Sequence, residues 1–141
     1  TGSIKLLKKI EIMNIKNIFI SNLDFSSLYK KIRKSEFEKI FILFPDPWHK
    51  RRHFKRKLIN KLFIKQIKLI SHNRTSIVIA TDDLIYQDII RESFKKDGNF
   101  KKLVEKTNNT FLGIVDVIET KYYKKALEKE KKSVFFVFNK K

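Results

Sequence analysis

Short apolar runs alternating with amphipathic segments of helical period predict an α/β fold for this chain of 141 residues. The runs at 17–21, 39–44 and 76–81 carry polar residues only at their ends. A strand dispenses with polar alternation when both of its faces are buried. Length adds a third constraint, since ~100 to 200 residues make one compact domain with a real core. The expectation is one domain over 1–141 built on a parallel sheet with helices on both faces.

Taken in order, Leu6, Leu7, Ile10 and Met13 recur at helical spacing behind Ser3, a candidate N-cap. Asn17 to Ser21 (NIFIS) reads as a short strand. Phe25, Leu28, Tyr29 and Ile32 repeat the helical period after Asp24, and Lys39 to Phe44 (KIFILF) is a second strand. Ile59, Leu62, Phe63, Ile67 and Ile70 share one face of a helix expected from about Arg56 to Ser71. Ser76 to Thr81 (SIVIAT) is a strand, and Leu84 to Lys96 a helix carrying Ile85, Ile89, Ile90 and Phe94. Phe100 to Glu105 has strand character, Phe111 to Ile118 fits helix or strand, and Ser133 to Phe138 (SVFFVF) is a closing strand.

Cysteine is absent, which excludes disulfides, thiolate metal sites and cysteine nucleophiles. No apolar run approaches the ~18 residues of a membrane span, and no secretory leader is visible, so a cytoplasmic location is expected. Thirty-three Lys and Arg against 15 Asp and Glu leave a net charge of +18. Such a charge attracts polyanions, although all but six of the cations are lysines, as drift toward AT-rich codons also produces. Position is therefore more informative than the total. Both prolines, the one tryptophan, His49, His53, Arg51, Arg52 and Arg56 all lie between Pro45 and Arg56.

Ligands of open α/β sheets bind outside the carboxyl ends of the strands. Asp24, Asp46 and Asp82 each follow a strand. Asp24 and Asp82 also read as helix N-caps. Asp46 differs, because Pro45 and Pro47 stiffen the backbone on either side and aim the carboxylate. Behind it, Arg52 to Lys57 concentrates guanidinium groups suited to phosphate, and Trp48 suits either a base stack or a core position. His49 and His53 lack a third ligand, so no metal is expected.

The run Phe44-Pro45-Asp46-Pro47-Trp48-His49-Lys50, with Arg52-His53-Phe54-Lys55-Arg56 behind it, resembles the hallmark of the bacterial tRNA (guanine-N7)-methyltransferases. Asn22-Leu23-Asp24 before it, and Ala80-Thr81-Asp82 and Thr120-Lys121-Tyr122 after it, match that family in order and spacing. The resemblance implies a Rossmann-like methyltransferase sheet that is incomplete here. The family's first two strands and the glycine-rich turn that grips S-adenosylmethionine have no counterpart among Gly2, Gly98 and Gly113. Inner strand edges left open in this way would favour self-association.

The activity implied is methylation of guanine N7 in the variable loop of tRNA, with S-adenosylmethionine as cofactor and tRNA as partner. N7 carries a lone pair and needs orientation rather than deprotonation. A carboxylate can accept from the guanine N1–H and exocyclic amine together, which suits Asp46 as the catalytic residue. By the resemblance, Asp24 and Asp46 are cofactor-binding. Lys50, His53, Arg56, Asp82, Thr120 and Tyr123 are substrate-binding, and Arg52, His53, Phe54, Lys55, Arg56 and Lys57 contact RNA. Tyr123 stands where the family carries a glutamate. Two alternatives stay open: an RNA-binding remnant, non-catalytic or partner-dependent, and methylation of another nucleobase such as adenine in DNA.

Overall fold

A computed structural model describes residues 2–32, 37–107 and 120–141, which form two compact units, Thr1–Ile32 and Arg33–Lys141. In the first unit, α1 (Gly2–Ile12) ends at Asn14, whose φ of 50° is the left-handed turn that asparagine tolerates at a helix end. The expected strand at Asn17–Ser21 is not formed. Strand backbone needs a neighbour for its N–H and C=O groups, and no second strand lies among the described residues of this unit. Phe19 is left 93% exposed. Asp24 then caps α2 (Phe25–Leu28), which tightens into a 3₁₀ turn at Tyr29–Lys31, so the helix read through Ile32 is shorter than its periodicity suggests.

The second unit holds a four-stranded sheet of β1 (Phe37–Leu43), β2 (Ser71–Thr81), β3 (Phe100–Thr107) and β4 (Val134–Lys140), in the order β1-β2-β4-β3. Only β1 and β2 are parallel; β4 runs antiparallel to both β2 and β3. The parallel pairing expected of the apolar strands thus holds for β1 with β2, while β4 near the end of the chain runs antiparallel, because burial on both faces sets the apolar content of a strand and not its direction. Ile77 and Ile79 of β2 and Phe136 and Phe138 of β4 alternate with Val78, Ala80, Phe135 and Val137, and all eight are buried.

On the first of these faces lies α4 (Leu84–Asp97), whose Phe94 stacks on Phe138 at 4.0 Å between ring centres. Arg91 of α4 reaches Glu105 of β3, with Nε donating at 2.8 Å, and lies 5.5 Å over the Phe136 ring. On the other face α5 (Lys121–Glu128) places Tyr123 against Val78, Ala80, Phe135 and Val137, with Phe44 and Val104 at the margin.

Two boundaries depart from the periodic pattern. The helix expected from Arg56 is instead a 3₁₀ helix at Arg51–Arg56 followed, after a break, by α3 (Lys61–Ile70). Asn60 sets that start: its side-chain oxygen accepts from Phe63 N at 3.0 Å while its amide donates to Lys57 O. β2 begins at Ser71, five residues before the apolar run, and Ser71 Oγ donates to Ile67 O at 2.7 Å to close α3. The segment Phe111 to Ile118 lies outside the described residues.

Candidate functional site

The carboxyl ends of β1 and β2 lie side by side, with Leu43 paired to Ala80, and Phe44 N extends the pairing by donating to Ala80 O at 2.8 Å. The next residues leave the sheet through an unusual turn. Phe44 (φ 52°) and Trp48 (φ 46°) both adopt left-handed backbone, a conformation bulky side chains rarely take and that costs about 1–3 kcal/mol each. Packing holds them there. The Phe44 ring lies 6.5 Å from Tyr122 and 6.3 Å from Tyr123. Trp48 meets the His53 ring edge-on at 5.4 Å and carries the Arg56 guanidinium at 5.2 Å.

Between these anchors the Pro45-Asp46-Pro47 segment presents Asp46 exposed, with no hydrogen-bond or ion-pair partner among the described residues. This is the outward carboxylate that the two prolines predict. Its charge is felt at Tyr86, where burial raises the phenol above its ordinary range and Asp46 adds to the shift. Tyr86 is itself fixed, accepting from Ile59 N at 3.1 Å.

The loop is tied to the start of α4 by His49, whose Nε2 lies 3.5 Å from Asp83 Oδ2. Asp83, which the sequence reading passed over, caps α4 by accepting from Tyr86 N at 2.7 Å. The pairing of Asp82 with Asp83 hid this assignment, although the distance from Asp83 to the first buried helical residue was the available signal. Asp82 is consequently free of capping and pairs with Lys131 at 3.3 Å, another residue not singled out from the sequence. Thr120 caps α5, its Oγ1 accepting from Tyr123 N at 3.1 Å.

Two expected contacts are placed elsewhere. Tyr123 is 1% exposed and packs in the core, so its ring does not line the surface as a substrate-binding residue would. An uncharged ring at this spacing serves the apolar face of α5. Lys57 is 7% exposed, with its ammonium 4.3 Å over the Phe54 ring and 5.8 Å from Tyr86, an aromatic setting rather than an RNA-facing one. By contrast Lys50, Arg51, Arg52, Lys55 and Arg56 are exposed and unpaired with any acid among the described residues. His53 is half-buried against Trp48. The 3₁₀ repeat of three residues per turn brings His53 and Arg56 onto one side, both against that ring.

Asp24 lies in the first unit. Its Oδ1 accepts from Ser27 N at 3.0 Å and from Ser26 Oγ, and its Oδ2 from Ser27 Oγ at 2.8 Å. The Ser26 hydroxyl, then the Ser27 hydroxyl and amide, lower its pKa to about 2. Among the described residues no cluster of three or more His, Asp or Glu could hold a metal, and no helix is long and apolar enough to cross a membrane.

A family model described as "Putative methyltransferase" matches residues 1–136. The chain belongs to that family. Relatives carrying the name tRNA (guanine-N(7)-)-methyltransferase include a protein of Wolbachia pipientis wMel, 36% identical over 135 residues that make up 96% of this chain and 58% of the relative. The protein of Neorickettsia sennetsu (strain ATCC VR-367 / Miyayama) is 38% identical over 92 residues, 65% of this chain and 42% of its own length. That of Buchnera aphidicola subsp. Acyrthosiphon pisum (strain APS) is 41% identical over 113 residues, 79% and 46%. The chain thus spans about half the length of these curated relatives.

Membership of a methyltransferase family implies a methyl donor, and the described residues fit one poorly. Gly98 caps α4 in left-handed backbone, Gly2 lies in α1, and Gly113 is outside the described residues, so no glycine turn follows a described strand. Asp24 has three of its roughly four acceptor positions filled. Among the described residues the donor's glycine turn is therefore lacking, and Asp24 keeps one acceptor position for it.

Proposed function

We propose that this chain carries the guanine-binding and RNA-binding part of a tRNA guanine-N7 methyltransferase that uses S-adenosylmethionine and works in the cytoplasm. The observation that carries this reading is Asp46, an unpartnered carboxylate held outward between two left-handed residues at the carboxyl end of β1, with an acid-free basic segment directly behind it. Asp46 accepts from the guanine N1–H and exocyclic amine and so presents N7, whose lone pair needs no prior deprotonation. In this reading, which here follows the resemblance, Asp82, paired with Lys131, and Thr120, with its hydroxyl proton available to donate, serve the target nucleotide. Arg52, Lys55 and Arg56 take phosphate, with Arg56 preset by its stack on Trp48 so that its fork keeps donors to spare.

Holding the base in this way requires it to be turned out of the folded RNA, which backbone clamping by the basic segment supports. The free edge of β1, unpaired among the described residues, supports self-association through that edge. A second reading, RNA binding without methyl transfer, draws on the buried Tyr123, which leaves no carboxylate acceptor where the resemblance expects one. The deciding experiment is transfer of labelled methyl from S-adenosylmethionine to an unmodified tRNA transcript, with the product nucleoside identified. N7-methylguanosine is expected. RNA binding with no labelled product would select the second reading.

A further inference from the structure

The basic segment does not end where the proposed site ends. No acidic residue occurs between Asp46 and Asp82, across 47–81, in a chain that otherwise supplies 15 acids. Lysine-favouring drift raises the number of cations but does not by itself clear so long a stretch of carboxylates. Within it, α3 carries Lys61 and Lys65 one turn apart at its exposed side, beside a groove of about 410 Å³ shared with α4 and lined by Ile64, Ser93, Lys96 and Asp97.

Each placement works against the stability of the helix. Lys61 is the first residue of α3, where a cation meets the positive end of the helix dipole. Lys61 and Lys65 are a like-charged pair at four-residue spacing. Neither has an acidic partner among the described residues. Lys96 adds a third ammonium across the groove, only loosely engaged by Glu92 at 3.8 Å. The one carboxylate in the lining, Asp97, already accepts from Asn99 N at 3.3 Å and Asn99 Nδ2 at 2.9 Å.

We propose that the α3–α4 groove is a second RNA contact, in which Lys61, Lys65 and Lys96 take backbone phosphates of the same tRNA that the Arg51–Arg56 helix clamps. The inference rests on the tRNA reading above and extends it to a surface outside the candidate pocket. A polyanion is the fitting occupant because the cations continue along the chain from Arg51 through Arg56 to Lys61 and Lys65, whereas a small anion would need them convergent on one point. The contact is blind to sequence, since it involves no base-reading group, and it contributes to affinity and its salt dependence.

The test uses the double variant Lys61→Gln/Lys65→Gln and a control, Lys101→Gln/Lys141→Gln, that removes the same charge from β3 and the chain end. Affinity for an unmodified tRNA transcript is measured across a salt series, and melting temperature is measured alongside. The slope of log affinity against log salt should become shallower by about 0.7 to 0.9 for each α3 lysine removed, while the control keeps the parent slope. The α3 variant should melt no lower than the parent. An unchanged slope in the folded α3 variant, or an equal loss in the control, overturns the second contact while leaving the tRNA reading intact. Absence of salt-dependent tRNA binding by the unaltered protein refutes both.

Discussion

Replacing Asp46 with asparagine keeps the size of the side chain and changes one acceptor oxygen into a donor amide. In the proposed pose the carboxylate accepts two hydrogen bonds from guanine. The variant keeps one and turns an N–H group toward the other guanine donor. A hydrogen bond to a charged group is worth about 1.5–3 kcal/mol, so methyl transfer should fall by about 10- to 160-fold at ~1.36 kcal/mol per decade, and further if the opposed donors push the base out of line. Folding should be nearly indifferent, because Asp46 is exposed and partnerless among the described residues, and such surface changes stay within about 0.5 kcal/mol. Single-turnover transfer to tRNA transcript, tRNA affinity and thermal melting together separate these effects. Transfer reduced by less than twofold would refute the role given to Asp46. So would a large loss of tRNA affinity, since phosphate contacts and not this carboxylate are meant to hold the RNA.

Arg56→Ala should weaken tRNA binding and flatten the salt slope by about 0.7 to 0.9, with no effect on melting beyond the loss of the Trp48 stack; a salt series on the variant checks it. Tyr123→Ala should destabilise the protein by about 3–5 kcal/mol in denaturant titrations, as loss of a fully buried aromatic does, and leave tRNA affinity of the folded protein unchanged. Asp24 should titrate by NMR near pH 2 rather than at the ordinary 3.8. Because its folded pKa is the lower one, its support of the α2 cap is fully present above the ordinary value and is lost as pH falls through about 2. A midpoint near 4 would contradict the serine hydrogen bonds.

Much of this architecture was legible from residue order because local signals and burial agreed. The Ser76–Thr81 and Ser133–Phe138 runs become buried strands, and Pro45-Asp46-Pro47 turns its carboxylate to solvent. Failures came where a long-range partner decides. NIFIS has strand composition, yet no neighbouring strand among the described residues of its unit to complete its hydrogen bonds. The direction of β4 leaves no trace in its composition. At the site, three assignments depended on neighbours that sequence spacing does not reveal: Lys57 turned onto Phe54 and Tyr86, Tyr123 drawn into the core, and Lys131 brought to Asp82 across 49 residues. Asn60 was the exception, a readable N-cap that the apolar period over 59–70 obscured.

Inosine lacks the exocyclic amine of guanine and keeps N7, so a tRNA transcript with inosine at the target isolates the contact proposed between Asp46 and that amine. Methyl transfer by the parent protein should fall by about 10- to 160-fold on that substitution, the worth of one charged hydrogen bond, whereas Asp46→Asn should discriminate between the two transcripts by less than about threefold. Equal discrimination by parent and variant would mean that some other group reads the guanine edge.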